Sequence, residues 1–325
     1  MSISTSVFAM EAAITDYVAH QRALGRGYRN EERILLSMCH WLAQSSVREL
    51  DQASFDQWCD TMHHLGPNTR RARQLMVHKF CLFRQRTEHE CFVPNPLYFA
   101  RPCPYIRPVI VQPDQVARML VAATHLTPTL GSPLLPAVTR IAIVLLYTAG
   151  LRRGELLHLT LRDVEPKSGV LQIRESKFHK SRLVPLSTGA ARELRLYLCK
   201  RLNASLGTGP ETPLLCNTTR GLRGYTGTGI SRLIHALFEL ADVRDAEGRC
   251  PRIHDLRHSF AVQALIRWYR EGADVQSNLP KLAIYMGHVS IVSTAYYLPF
   301  VPTIAALASE RFEKHLGHVL GGSKP

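Results

Sequence analysis

Five prolines fall within fifteen residues, Pro94, Pro96, Pro102, Pro104 and Pro108, and no helix can run through such a stretch. Each removes a backbone donor and fixes its own φ at about −65°, so extended backbone is favoured. A chain of 325 residues interrupted there reads as two folding units. The expected layout is a first domain over residues 1–93 and a semi-rigid connector over 94–108, punctuated by Arg101 and Arg107. A larger domain over 109–312 and a tail over 313–325 complete it.

Before the prolines, the apolar spacing predicts four short helices. They cover residues 8–24, 31–44, 55–62 and 68–86, with Ser54 as the cap of the third. Short helices with short loops make a small bundle, with Tyr28, Trp41 and Trp58 expected in its core. The fourth helix carries Arg70, Arg71, Arg73, Lys79, Arg84 and Arg86 before any acid appears at Glu88. Such a face is either solvated or laid along a phosphate backbone. Arg70, Arg71, Arg73 and Lys79 are the candidates for phosphate contact.

The formal charge of +14 makes a polyanion a plausible partner, and it is unevenly placed. Residues 1–108 hold 13 Lys and Arg against 10 Asp and Glu, whereas residues 109–325 hold 27 against 16. An anion-binding surface is therefore expected mainly in the second domain. None of the eight cysteines forms a C-x-x-C pair, so a zinc ribbon is not expected and reduced thiols are. The apolar run at 141–146 is too short to span a bilayer, which points to a soluble cytosolic chain.

In the second domain, residues 138–147 are almost wholly apolar, as a buried helix requires. They run into Gly150-Leu151-Arg152, where Glu155 is a natural partner to orient the arginine. Residues 169–174 and 182–186 read as two strands of a hairpin, with Lys177 and Lys180 on the turn and Arg182 just beyond. Helices are expected over 187–202 and 230–240, with a Gly- and Thr-rich loop at 206–229. His254 and Arg257, three apart, share one face of a helix, and imidazole beside guanidinium makes a phosphate site. Gly287-His288 precedes Tyr296 and Tyr297, which point about 100° apart on a helix, so only one can face such a site. Residues 304–316 form an amphipathic stripe suited to docking on the chain's own core or on a neighbour. The fold class is mainly α with a small β-sheet, an α+β architecture.

The ordered set Arg152, Lys177, His254-x-x-Arg257, Gly287-His288 and Tyr297 resembles the tyrosine recombinase, or phage integrase, family. The resemblance is strong over residues 110–312 and rests only on position and helix count over 8–90. It implies a helical core-binding domain followed by a catalytic domain. It also implies catalytic roles for Arg152, Lys177, His254, Arg257 and His288, with Tyr297 as the nucleophile nine residues after His288. Lys180 and Arg182 join the four α-helical cations as residues expected to contact DNA. The implied reaction forms a 3′-phosphotyrosine and passes through a Holliday junction, with no cofactor and no metal. The implied partners are double-stranded DNA with inverted-repeat core sites, a homo-tetramer joined by the C-terminal helix, and sibling recombinases. The stretch from Arg267 through Pro280 is long for the simplest members and resembles the transposon-encoded subgroup, which implies a mobile-element role in the nucleoid of a bacterial cytoplasm. Relaxation of DNA in the manner of a type IB topoisomerase, or DNA binding without cutting, are the alternatives.

Overall fold

The computed structural model describes residues 3–47, 49–104, 106–176, 180–219 and 221–288, together with Ala306, Ser309, Glu310 and Glu313. The chain divides into two units, residues 1–106 and residues 107–325.

The first unit contains helices α1 (Ile3–Ala23), α2 (Arg29–Gln44), α3 (Gln52–Asp60) and α4 (Pro67–Arg84). Leu35, Met38, Cys39 and Leu42 follow the spacing of one helical stripe, and all four are buried. They meet Ile14, Tyr17, Phe55, Trp58, Val77 and Phe80 in one core, on which Tyr28 and Trp41 also pack. The third helix starts earlier than its expected cap at Ser54. Asp51 is the cap: its Oδ1 accepts from the Ser54 backbone N–H at 2.8 Å, and Ser54 Oγ accepts from the Asp51 N–H at 2.9 Å. A carboxylate one turn upstream satisfies the helix's first orphan donors before a serine can.

Residues 94–103, part of the stretch expected to be a semi-rigid connector, lie against the first unit. Phe99 is buried in the first core, beside Phe55 at 5.8 Å between ring centroids. Four side chains of α4, Arg71 on the Ala100 carbonyl among them, hold the backbone down. His78 Nδ1 lies 2.8 Å from the Pro94 carbonyl, Gln74 Oε1 accepts from Ala100 N–H at 3.0 Å, and Asn68 Oδ1 accepts from Cys103 N–H at 2.9 Å. Proline-rich backbone makes few bonds with itself, here a single 3-10 turn over Pro96–Tyr98, so its other polar groups seek side chains, and α4 presents them.

In the second unit, α6 (Leu135–Thr148) is the central element. It packs against α5 (Pro113–Thr124), α8 (Thr188–Asn203), α9 (Gly227–Leu240) and α10 (Asp255–Arg270), which is why Ile141 to Leu146 are apolar all round. A short helix α7 (Arg153–His158) leads to an antiparallel sheet of β1 (Val164–Glu165), β2 (Val170–Ser176) and β3 (Lys180–Pro185), in that order. The expected loop after α8 contains a small hairpin, β4 (Cys216–Asn217) with β5 (Arg223–Gly224).

The sequence reading assigned no element to the segment holding Pro280, yet α11 (Val275–Met286) runs through it. Asp274 caps this helix by accepting from Ser277 N–H at 3.1 Å. The helix closes at Gly287, whose φ of 68° is the left-handed conformation that favours glycine.

Candidate active site

The site begins where α6 ends. Gly150 has φ 58°, and any Cβ there would overlap the Phe260 ring of α10. Arg152 then caps α7. Its backbone N–H donates to Glu155 Oε2 at 2.9 Å and its Nη1 donates to Glu155 Oε1 at 2.7 Å. Local folding thus aims this arginine, because Glu155 stands at the third helical position where a capping carboxylate belongs.

Glu155 serves more than one cation. Its side chain is 4% exposed and receives a two-pronged fork from Arg182, Nη1 to Oε1 and Nη2 to Oε2, each at 2.9 Å. Arg257 Nη1 lies 3.9 Å from Oε2. Burial pushes the Glu155 carboxyl up, but hydrogen bonds from Arg182 and from the Arg152 backbone and side chain outweigh it and hold the group at about 2.

The same three arginines converge on the end of α11. Arg182 Nε donates to the Tyr285 carbonyl at 2.7 Å, Arg257 Nη2 to Met286 at 2.6 Å and Arg152 Nη2 to Gly287 at 2.6 Å. Arg257, 1% exposed, also donates through Nη1 to the Gly150 carbonyl. Three consecutive carbonyls of a helix C-terminus lack intrahelical partners and sit at the negative end of the macrodipole. They are a natural anchor for guanidinium groups, and the next residue in the chain is His288.

Three imidazoles border this cluster. His254 caps α10 with an exposed edge, and His258 stands one turn further, its ring edge-on to His254 at 4.7 Å. Burial and then the Arg257 charge push His254 below its usual value. Burial and then His254 hold His258 at about 4. Burial, Arg257 and Arg152 hold His288 at about 4. At neutral pH His258 and His288 are therefore uncharged and can accept a hydrogen bond.

Of the residues singled out from sequence, the structure gathers Arg152, Arg257 and His288 around the end of α11, with His254 on the rim. Lys177 and Tyr297 lie outside the described residues, and Lys180 opens β3. Arg182, expected to contact DNA, turns inward with a side chain 10% exposed. Side chains alternate along a strand, so Arg182 shares a face with buried Val184, while Leu183 takes the solvent side at 65% exposure. That alternation was a readable signal. On α4, Arg70 bonds His63 Nδ1 at 3.2 Å and Arg71 bonds the Ala100 carbonyl at 3.2 Å; both are half-buried, as is Arg73, and Lys79 is exposed. His258 and the Tyr285 carbonyl carried no motif of their own.

Among the described residues, one group of His, Cys and carboxylate side chains lies close enough to share a cation: His235, Glu239 and Cys250. Cys250 Sγ is 3.7 Å from His235 Nδ1, whereas Glu239 Oε1 is 3.8 Å from Nε2, so the two neighbours address different atoms of one ring. The trio is separate from the arginine cluster.

Comparison with known proteins places this arrangement. The phage integrase family model matches residues 110–300. The integrase/recombinase y4rB of Sinorhizobium fredii is 31% identical over 305 residues, 93% of this chain and 96% of that protein. The tyrosine recombinase XerD of Vibrio cholerae is 27% identical over 277 residues, 83% of each. Among solved structures, the Tn1549 transposon integrase in complex with circular-intermediate DNA superposes with a TM-score of 0.63 at 16% identity, over 96% of this chain and 99% of that one. The XerH site-specific recombinase bound to its palindromic difH substrate gives 0.60 at 17% identity, over 89% and 78%. At such identities these structures speak to the fold. The chain belongs to the phage integrase family. Its activity class follows: it is a tyrosine site-specific recombinase.

Proposed function

We propose that this recombinase cuts and rejoins duplex DNA through Tyr297, in the integration and excision of a mobile element. The observation that carries the chemistry is the charge balance of the arginine cluster. Three guanidinium groups share one carboxylate, Glu155, and one helix C-terminus worth about half a negative charge. The remainder is positive, and a scissile phosphate is the anion that offsets it.

The phenolic oxygen of Tyr297 attacks phosphorus and displaces the 5′-oxygen, leaving a 3′-phosphotyrosine. A free phenol has a pKa of about 10, so it needs a proton acceptor, which neutral His254 supplies. Arg152 and Arg257 stabilise the non-bridging oxygens as charge builds on them, and His288 hydrogen-bonds one of them. Lys177 gives the leaving 5′-oxygen its proton. The phosphodiester energy stays in the tyrosyl ester, so a partner 5′-hydroxyl reverses the step and strands are exchanged without a cofactor.

The first unit serves as a core-binding domain, with Arg70, Arg71, Arg73 and Lys79 of α4 along the DNA backbone and Lys180 beside the hairpin turn. Two rounds of exchange on inverted-repeat core sites call for a homo-tetramer, linked by the C-terminal helix, and a Holliday junction between rounds; sibling recombinases would share those sites. The mobile-element role rests on the stretch from Arg267 through Pro280 and on the integrase/recombinase y4rB as a relative. No helix among the described residues is long and apolar enough to cross a membrane; work at the bacterial nucleoid is part of the proposal and follows from DNA as the substrate.

A nicked suicide duplex, carrying the sequence that the protein selects from a random pool, tests this reading. The wild type should form a covalent protein–DNA adduct. Tyr297→Phe should abolish it, and Tyr296→Phe should retain it. Loss in Tyr296→Phe alone would move the nucleophile by one residue. Relaxation of a plasmid lacking the selected site would replace strand exchange with topoisomerase action.

A further inference from the structure

We infer that Arg182 is a positioning residue for the cleavage step, acting through Glu155 and the end of α11 and not through contact with DNA. The inference rests on the recombinase reading above. Arg182 joins three separate elements of the site, β3, α7 and α11. Its fork grips both oxygens of Glu155 from β3, at 2.9 Å each, and its Nε holds the Tyr285 carbonyl at 2.7 Å. Glu155 in turn orients Arg152, and Tyr285 lies three residues before His288.

The connections close into a ring. Arg152 reaches Glu155, Glu155 reaches Arg182, Arg182 reaches Tyr285, and Arg152 returns to Gly287 two residues on. A lysine could meet a carboxylate but could not fork to both oxygens and a carbonyl at fixed angles. The side chain is 10% exposed, and its three nitrogens each have an acceptor within 2.9 Å. All three nitrogens are thus committed to protein acceptors. The fork also stands midway along β3, where Arg182 pairs across the ladder with buried Ile173 of β2. Strand β3 is thereby pinned to α7 and α11.

Removing the fork should loosen Arg152 and the segment leading to His288 by a fraction of an ångström to an ångström. A misplacement of about 1 Å costs on the order of 100-fold in rate. The full-length protein is assayed for single-turnover cleavage of the nicked suicide duplex at saturating DNA, and for equilibrium binding across a salt series. For Arg182→Ala, cleavage should fall about 100-fold, while affinity stays within about threefold and the salt slope is unchanged. Arg182→Lys should recover part of the rate. Guanidinium added to Arg182→Ala should recover part as well.

A different split overturns the inference. If Arg182→Ala cleaves at the wild-type rate when saturated, but binds weakly with a salt slope reduced by about one, Arg182 is a phosphate contact. Should Arg182→Ala fail to fold, Arg182→Lys decides alone: wild-type cleavage at saturation would refute positioning, and a rate defect at unchanged affinity would support it. Absence of any covalent adduct from the wild type would refute the recombinase chemistry itself, a result separate from all of these.

Discussion

Each unit of the chain buries arginine, and the two do so in opposite ways. In the first, Arg84 is 7% exposed and sits between two carboxylates, Glu49 at 2.8 Å and Glu88. In the second, Arg152, Arg182 and Arg257 gather around the single carboxylate of Glu155. The first arrangement is over-neutralised and closed to further anions. The second is under-neutralised, completed only in part by the carbonyls of α11, and so is ready for one more negative charge. Burial of cations does not by itself mark a site. What separates these two clusters is the ratio of buried cations to the acids that accompany them.

The sharpest way to break that contrast is Glu155→Gln. It leaves three clustered guanidinium groups without their shared anion, and removing one partner of a buried ion pair costs about 3–5 kcal/mol. Thermal melting of the second unit should show that loss. Added sulfate or phosphate should restore stability more strongly than in the wild type, because an anion would then replace the missing carboxylate. A variant as stable as the wild type would mean that the helix end alone balances the arginines.

Acid should separate the units next. His258 and His288 have folded values of about 4 against an ordinary 6.5, so the unfolded chain binds more protons between those limits. Their contribution is intact above pH 6.5 and is lost as the pH falls toward 4. Glu155 adds a second loss between 4.5 and about 2, as its depressed carboxyl takes up a proton. Arg84 keeps its charge throughout. Peptide-resolved hydrogen exchange, corrected for intrinsic rate, should show α6 and α7 weakening between pH 6.5 and 4. Equal weakening of α2 and α4 would remove the histidines as the cause.

The smallest effect belongs to the closed cluster. Arg84→Met substitutes a long apolar side chain in the first core, and its two former partners keep 57% and 49% of their side-chain surface in water. Released acids of that kind need no counter-ion, so the melting change should correspond to less than about 1.5 kcal/mol. A loss like that of Glu155→Gln would show that both clusters are held equally tightly.

Much of this was legible in advance, for local reasons. Arg152 and Glu155 are set by a capping box, and His254 with Arg257 by one helical turn, and such spacings can be read directly. The all-apolar run of α6 named its own burial. Other features depended on distant residues. That 94–103 lies on α4 depends on Asn68, Gln74 and His78 meeting backbone groups far along the chain. Pro280 hid α11, because a proline inside a helix is read as a break, although Asp274 and Ser277 carry a usable start signal. The inward turn of Arg182 was missed because charge was weighed above alternation: its neighbours Leu183 and Val184 already showed which side faced the core.

Gly287 deserves a last consequence. A methyl group on it would stand 2.7 Å from Arg182 Nη1 and 3.3 Å from Arg152 Nη1, on backbone that is already left-handed. The missing side chain is therefore the space through which two cations touch the same stretch of main chain. Any other residue here would take on left-handed backbone strain and push the two guanidinium ends aside, so the glycine beside His288 keeps the arginines where they are.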